Sequence, residues 1–297
     1  MTNTIIGKEY LIIKEIGKGS TSIIYLVQSI ITQEKYAAKV YKTHSEYFLK
    51  EVDILKKLSL YNFKGIIHLI SYGEEPIVNE ETNDEEENNN QQYIILDYIP
   101  NNDLFYHVKK SKGLNENEAK YIFYKIVKAV QQCHINGICH RDLKLENILL
   151  DNNNNPIICD FGFGSSIEEE DIEVKLSQYL GTDCYEPPEI LDHVPYNGIK
   201  CDIFCLRVIL FCTIFCCFPF ANATNNDKLY KLIINKKYKE FWKEIGKKIG
   251  KEKINKVSLE FKNLFFKMVS NDPDERPSAG DILNDNWLKD INNAKTN

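Results

Sequence analysis

Long hydrophobic runs are missing from this chain. Its longest apolar stretch extends from Val208 to Phe220, 13 residues with Asp202 and Arg207 just before it. An α-helix needs about 20 residues to cross a bilayer, so a buried core helix is the better reading. The first residues, MTNTIIGKEYLIIKEIG, lack the basic-then-apolar pattern of a secretory signal. No Gly follows Met1 and no Cys closes the sequence, so no lipid anchor is expected. No internal repeat is visible. Positive charge is absent between Glu74 and Gln92, where eight carboxylates stand without a single Lys or Arg. The net charge is −6; without those eight it would be about +2, so the folded body is expected near neutrality, with no nucleic-acid footprint. The Asn/Glu/Gln-rich segment, about 74–92, has little to bury and is expected to form a disordered loop.

What is present fits a soluble globular protein of one large domain or two lobes: 297 residues, 43% apolar and 27% charged. Nine cysteines, among them Cys205, Cys212, Cys216 and Cys217 in apolar runs, read as free thiols in a reducing compartment. A cytoplasmic protein without membrane contact is the corresponding expectation.

The first third of the chain is strand-like. Tyr10–Ile16, Ser22–Gln28 and Lys35–Val40 are short and rich in β-branched and aromatic residues. Phe48, Val52, Leu55 and Leu58 recur at helical spacing, which predicts a helix over Ser45–Leu58. Two further strands are expected at Ile66–Tyr72 and Tyr93–Tyr98. After Pro100 the pattern turns helical. Ala119–Cys133 places Ile122, Ile126, Val127 and Val130 on one face, and Ile203–Phe218, Leu259–Val269 and Ala279–Ile291 follow.

Chemistry-bearing motifs fall in this frame. Gly17-Lys18-Gly19-Ser20-Thr21-Ser22 lies between two predicted strands. Glycines let a backbone approach phosphates, although a plain hairpin turn would explain them as well. Lys39 sits among apolar residues on a strand, and Glu51 follows on the predicted helix, either as a phosphate-holding pair or as a solvated surface pair. His140-Arg141-Asp142-Leu143-Lys144-Leu145-Glu146-Asn147 precedes Asp160-Phe161-Gly162. Phosphoryl transfer needs a carboxylate to orient the attacking hydroxyl, oxygen ligands for Mg²⁺ and cations around the moving phosphoryl. Asp142, Asn147, Asp160 and Lys144 offer those groups in one short span.

This set of motifs resembles the eukaryotic protein kinase family of serine/threonine type. The resemblance continues through Gly181-Thr182, Tyr185, Pro187-Pro188-Glu189, Asp202 and Arg276-Pro277, and covers about residues 10–291. Its pattern is similar to the calcium/calmodulin-dependent and AMP-activated kinases. It implies an α+β, two-lobed fold: residues 10–99 as a small antiparallel-sheet N-lobe with one main helix, and residues 100–291 as a larger helical C-lobe. It also implies ATP and Mg²⁺ as cofactors, protein substrates, a possible upstream activating kinase, no nucleic acid or membrane partner, and a monomer. By the same resemblance Gly17, Gly19 and Ser22 lie over the phosphates, Lys39 holds them, and Glu51 orients Lys39. Asn147 and Asp160 are the metal ligands, Asp142 aligns the substrate hydroxyl, and Lys144 neutralises the γ-phosphoryl. Adenine meets Asp97 and Ile99 behind a gatekeeper-like Leu96, with Ile24 and Ala37 lining its site, and Asp103 contacts ribose. Arg276 is the arginine expected to pair with Glu189. Asp103 and Glu146 resemble acidic positions that attract an Arg ahead of the phosphoacceptor, though Cys212 stands where some basophilic kinases have a further Glu. Arg141 resembles the Arg that pairs with a phosphate on Ser165, Ser166, Ser177 or Tyr179, unless Glu168, Glu169, Glu170 or Asp171 supplies that charge.

Four positions depart from the pattern. Ser22 replaces a glycine, Pro187 an alanine, Glu186 a small or apolar residue, and Arg207 a glycine of the long apolar helix. An unpaired buried guanidinium is expensive. Two expectations follow: Glu186 and Arg207 form an ion pair, or Arg207 reaches solvent while Glu186 lines a pocket for a basic substrate residue. The rival functional reading is a pseudokinase, with the fold but no turnover. A small-molecule kinase would lack the Pro188-Glu189 and Arg276 elements.

Overall fold

The strand-forming residues of the first third build a seven-stranded antiparallel sheet. The structure is a computed structural model that describes residues 4–61, 63–75, 78–79, 90–166 and 184–293. Its strands are β1 (Thr4–Ile6), β2 (Tyr10–Lys18), β3 (Ser22–Ser29), β4 (Lys35–Tyr41), β5 (Leu69–Glu75), β6 (Val78–Asn79) and β7 (Gln91–Asp97), ordered β5-β7-β4-β3-β2-β1-β6. β5 and β7 are antiparallel neighbours, so the acidic insertion connects adjacent strands. Residues 80–89 of that insertion, with Glu80, Glu81, Asp84, Glu85, Glu86 and Glu87, lie outside the described residues.

Helix α1 (Glu46–Ser59) starts where Ser45 accepts a hydrogen bond from the Tyr47 N–H, a side-chain N-cap. Phe48, Val52, Leu55 and Leu58 are buried, as their spacing predicts, and Glu51 shares that buried face. The chain divides into two compact units, Met1–Pro100 with Phe161–Phe163, and Asn101–Asp160 with Gly164–Asn297. The first is the small sheet lobe and the second the larger helical lobe of an α+β fold.

The second unit contains α2 (Leu104–Ser111), α3 (Glu116–Ile135), β8 (Ile138–Cys139), β9 (Ile148–Leu150), β10 (Pro156–Ile158), β11 (Ser165–Ser166), α4 (Pro188–Leu191) and α5 (Gly198–Phe215). It continues with α6 (Lys228–Ile234), α7 (Tyr238–Ile249), α8 (Lys251–Lys256), α9 (Leu259–Lys267), α10 (Ala279–Leu283) and α11 (Lys289–Asn293). α3 opens with a reciprocal capping box between Asn115 and Glu118. The helix expected over Ala279–Ile291 is in fact two. Asp285 takes the Trp287 N–H at 3.0 Å and Lys267 Nζ at 2.7 Å, and this local side-chain bonding breaks the helix while Trp287 is buried. No helix among the described residues is long and apolar enough to cross a membrane. α5 is instead the buried core helix of its unit, with 16 of its residues buried.

Two buried arginines behave oppositely. Arg276 binds Glu189 in a two-pronged pair, Nη1–Oε1 at 2.6 Å and Nη2–Oε2 at 2.7 Å, and also donates to the Lys200 and Ser270 carbonyls. Arg207 is 0% exposed, and its Nε, Nη1 and Nη2 make no hydrogen bond among the described residues. Both sequence expectations for Arg207 are therefore corrected. No Glu186–Arg207 hydrogen-bonded pair forms, and no route to solvent exists, because α5 is buried around its whole circumference. The guanidinium stacks instead on Phe204 at 3.8 Å and Phe220 at 4.5 Å, and burial lowers its pKa to about 9. Ring contact offsets only part of the cost of burying an unpaired charge. Arg207→Met should therefore stabilise the fold by about 1–3 kcal/mol, read from denaturant unfolding. A loss of that size would show that the guanidinium has a strong partner in solution.

Candidate active site

In the sheet unit the site rests on one carboxylate. β4 pairs with β3 and β7 in a register that sets Lys39 opposite Ile24 and Ile94. Lys39 Nζ meets Glu51 Oε2 at 2.6 Å, with side-chain exposures of 9% and 1%, so this is no solvated surface pair. Burial at this level makes an ion pair worthwhile only when its partners are held well. A residue that the motif reading missed does part of the holding. Tyr41, 2% exposed, donates its hydroxyl to the same Glu51 oxygen at 2.5 Å and packs edge-on against Phe48. The available signal was positional: Tyr41 follows Lys39 by two residues on β4, so both side chains stand on one face of the sheet.

Gly17 lies near the end of β2 and Gly19 in the β2–β3 turn, with the Gly19 N–H donated to the Ser22 carbonyl at 2.9 Å. Lys42 Nζ ties the turn down from outside through the Gly19 and Ser20 carbonyls, at 2.6 and 2.9 Å. Ser22 is buried at the start of β3. Ala37 and Leu96 are cross-strand partners on β4 and β7, and Ile24 faces Gly17. Asp97 ends β7, where its carboxylate meets His68 Nδ1 at 2.9 Å; Ile99 follows outside any element.

In the helical unit Asp142, Lys144 and Asn147 converge. Lys144 Nζ lies 2.6 Å from Asp142 Oδ2. Asn147 Nδ2 donates to the same oxygen at 2.9 Å and to the Asp142 carbonyl at 2.8 Å. The β9–β10 hairpin sets Ile148 opposite Ile158, and the Cys159 N–H binds the Asn147 carbonyl at 3.0 Å. Asp160 therefore follows directly on the strand that is tied to Asn147.

The loop that presents Asp142 is fixed from below by Asp202 of α5, which is 0% exposed. Its carboxylate accepts the His140 N–H at 2.9 Å, the Arg141 N–H at 2.8 Å and His134 Nε2 at 2.9 Å. Those bonds hold Arg141 at φ 66°, a left-handed conformation disfavoured for a residue with a Cβ. The Asp142 N–H donates to His140 Nδ1 at 3.2 Å, which makes Nε2 the protonated nitrogen that donates to the Cys159 carbonyl at 2.9 Å. Tyr185 adds its hydroxyl as acceptor for the Leu145 N–H at 3.4 Å.

Asp103 caps α2 through the Tyr106 N–H at 2.7 Å, and a bridge pairs it with Leu149. Glu146 Oε2 is buried without a hydrogen bond among the described residues. Burial raises its pKa, and the like charges of Asp103 and Asp142 add to the effect. Arg141 Nη2 donates to the Tyr196 hydroxyl at 2.7 Å. Of its expected phosphate-bearing partners, Ser177 and Tyr179 lie outside the described residues, as do Glu168, Glu169, Glu170, Asp171, Gly181 and Thr182; Ser165 and Ser166 form β11.

Comparison with known proteins agrees with this architecture. The chain is 27% identical over 285 residues to sperm motility kinase Z of Mus musculus, covering 95% of this chain and 51% of the relative. It is 29% identical over 294 residues to CBL-interacting serine/threonine-protein kinase 13 of Arabidopsis thaliana, covering 96% and 52%. CBL-interacting protein kinase 11 of Oryza sativa subsp. japonica is 27% identical over 280 residues, covering 94% and 51%. The chain thus spans about half the length of these curated relatives. The family profile for the protein kinase domain matches residues 10–288. With that match running through both units, the chain belongs to the protein kinase domain family.

Proposed function

We propose that this chain transfers the γ-phosphoryl group of ATP to Ser or Thr hydroxyls of protein substrates, through a kinase domain spanning residues 10–291, with residues 10–99 as its N-lobe and 100–291 as its C-lobe. The observation that supports this best is the Asp142–Lys144–Asn147 cluster, held by backbone bonds to a fully buried carboxylate. Asp142 orients the substrate hydroxyl and takes its proton. Lys144, bonded to Asp142, is placed to offset negative charge on the γ-phosphoryl. Lys39 holds the α- and β-phosphates with Glu51 fixing its position, and Gly17, Gly19 and Ser22 cover them. Ile24, Ala37 and Leu96 enclose adenine, the chain at Asp97 and Ile99 meets its edge, and Asp103 keeps a carboxylate oxygen for ribose.

The donor set fits Mg²⁺. Asn147 commits Nδ2 to Asp142, and its Oδ1, with the Asp160 carboxylate, offers the hard oxygen ligands that this ion takes. When bound, Mg²⁺ would neutralise phosphate charge. The buried, unsatisfied Glu146 oxygen supports a preference for an Arg ahead of the phosphoacceptor, because a guanidinium would complete its hydrogen bonding. The compartment is read as cytoplasmic and the protein as a monomer open to an upstream activating kinase.

The deciding assay is phosphate transfer from labelled ATP to Ser and Thr peptides with and without an upstream Arg. Transfer should favour the Arg-bearing peptides and fall about a hundredfold or more in Asp142→Asn and Asp160→Ala. Wild-type inactivity in a folded preparation would favour the pseudokinase instead. Tyr41 yields a separate expectation. Tyr41→Phe removes one hydroxyl from Glu51 and keeps the ring against Phe48, so kcat should drop several-fold with folding intact. An unchanged kcat would show that Lys39 alone positions that carboxylate.

A further inference from the structure

The near-neutral body expected from bulk charge conceals a strong local imbalance. Residues 228–256 hold eleven lysines and three glutamates, a net +8, whereas the whole chain carries −6, so the other residues total −14. This stretch forms three successive helices, α6, α7 and α8, with contacts from α6 to α7 and from α7 to α8. All eleven lysines are exposed. α7 shows how the surface is made. Phe241 and Ile245 are buried, which turns Lys239, Lys243 and Lys247 outward in one row at four-residue spacing.

Internal pairing removes little of this charge. Glu244 takes Lys228 at 2.9 Å and Lys247 at 2.5 Å, and no other ion pair of these eleven lysines forms among the described residues. The basic surface also continues onto another element. Lys253 Nζ donates to the Lys112 carbonyl at 3.1 Å, just past α2. α2 itself carries Lys109 over the exposed Phe105 ring and Lys110 over the exposed Tyr106 ring. Leu259, the first residue of α9 and three residues past α8, is 67% exposed.

From these features we infer that α6–α8, the exposed side of α2 and Leu259 at the start of α9 form a docking surface for an anionic lipid bilayer. Three observations favour lipid over other polyanions. Every cation in residues 228–256 is a lysine, a compact point charge suited to a diffuse anionic plane, and not the planar fork of arginine that reads carboxylates or phosphates two oxygens at a time. The lysines spread over the outer faces of packed helices, and not along a row of free aromatic faces on which bases could stack; Trp242, the large ring of α7, already has Lys262 over it and Phe211 stacked on it. Exposed apolar side chains, Leu259, Phe105 and Tyr106, accompany the charges, as suits the boundary between headgroups and acyl chains. Such an attraction needs several lysines acting together and is screened by salt. It is independent of phosphate transfer, since none of these residues was given a catalytic or nucleotide-binding role.

Co-sedimentation with vesicles tests the inference. The full chain should pellet with phosphatidylcholine vesicles containing about 30% phosphatidylserine at roughly 0.1 M NaCl, and not with pure phosphatidylcholine. Raising NaCl to about 0.5 M should release it. The variant Lys239→Glu/Lys243→Glu/Lys251→Glu should lose about tenfold or more in partitioning. Two of these glutamates enter the first turns of α7 and α8, where acidic residues are favourable, so the fold is not at risk. A neutral version, Lys239→Gln/Lys243→Gln/Lys251→Gln, should bind between the two. Peptide phosphorylation in solution should be the same for all three proteins. No pelleting of the wild type, equal pelleting with uncharged vesicles, or undiminished pelleting of the charge-reversed variant would overturn the proposal. So would binding to a short RNA or a Glu-rich peptide without binding to phosphatidylserine vesicles, which would reassign the surface to that class of partner.

Discussion

The buried carboxylate of Asp202 is the constraint on which the Asp142 cluster of the helical unit depends. It lies on α5, the helix enclosed by its own unit, so its position is set by packing and not by solvent. Two consecutive backbone N–H groups, of His140 and Arg141, converge on its two oxygens, as in the small anion-binding concavities that successive amides make. The bonds offset the left-handed backbone at Arg141, and that conformation turns the chain so that Asp142 meets Lys144 and Asn147. A loop held this way loses little freedom when a substrate arrives, and electrostatic catalysis depends on such preorganisation. Glu51 plays the comparable part in the sheet unit, where Lys39 and Tyr41 share one of its oxygens.

These sites differ from Arg207 in satisfaction, not in burial. Asp202, Glu51, and the Glu189–Arg276 pair are all nearly inaccessible, and each has its charge matched by donors or a counter-charge. Arg207 lies in the same core helix with only aromatic faces for company. The protein therefore holds some buried charges for positioning and one whose cost the ring contacts only partly offset. Nothing in the site's geometry requires Arg207.

Much of the fold could be read from residue patterns because local and global preferences agree there. β2, β3, β4, β7 and α1 form where β-branched and aromatic runs and helical spacing put them, β5 begins three residues later than expected, β1 and β6 were not expected, and α5 is as buried as its apolar run implied. The motif residues of each unit also came together: Lys39 with Glu51, Asp142 with Lys144 and Asn147. What escaped lies where the signal is not local. α6, α7 and α8 were not expected, although Phe241 and Ile245 of α7 recur at helical spacing, and whole-chain charge averaged their basic surface away. Tyr41 belongs to no motif, and its role appears only once the register of β4 against α1 is known. Arg207 was misread because both expectations assumed that a charge must find either a counter-ion or water.

Substitution of Asp202 by Asn tests the central claim most directly. The amide keeps the size and one acceptor oxygen but cannot accept both backbone N–H groups and the His134 ring as a carboxylate does. Nucleotide affinity measured by titration calorimetry should change little, while the single-turnover rate of phosphate transfer should fall about a hundredfold. A variant that folds and transfers phosphate at the wild-type rate would show that the loop around Asp142 is positioned by something other than this carboxylate.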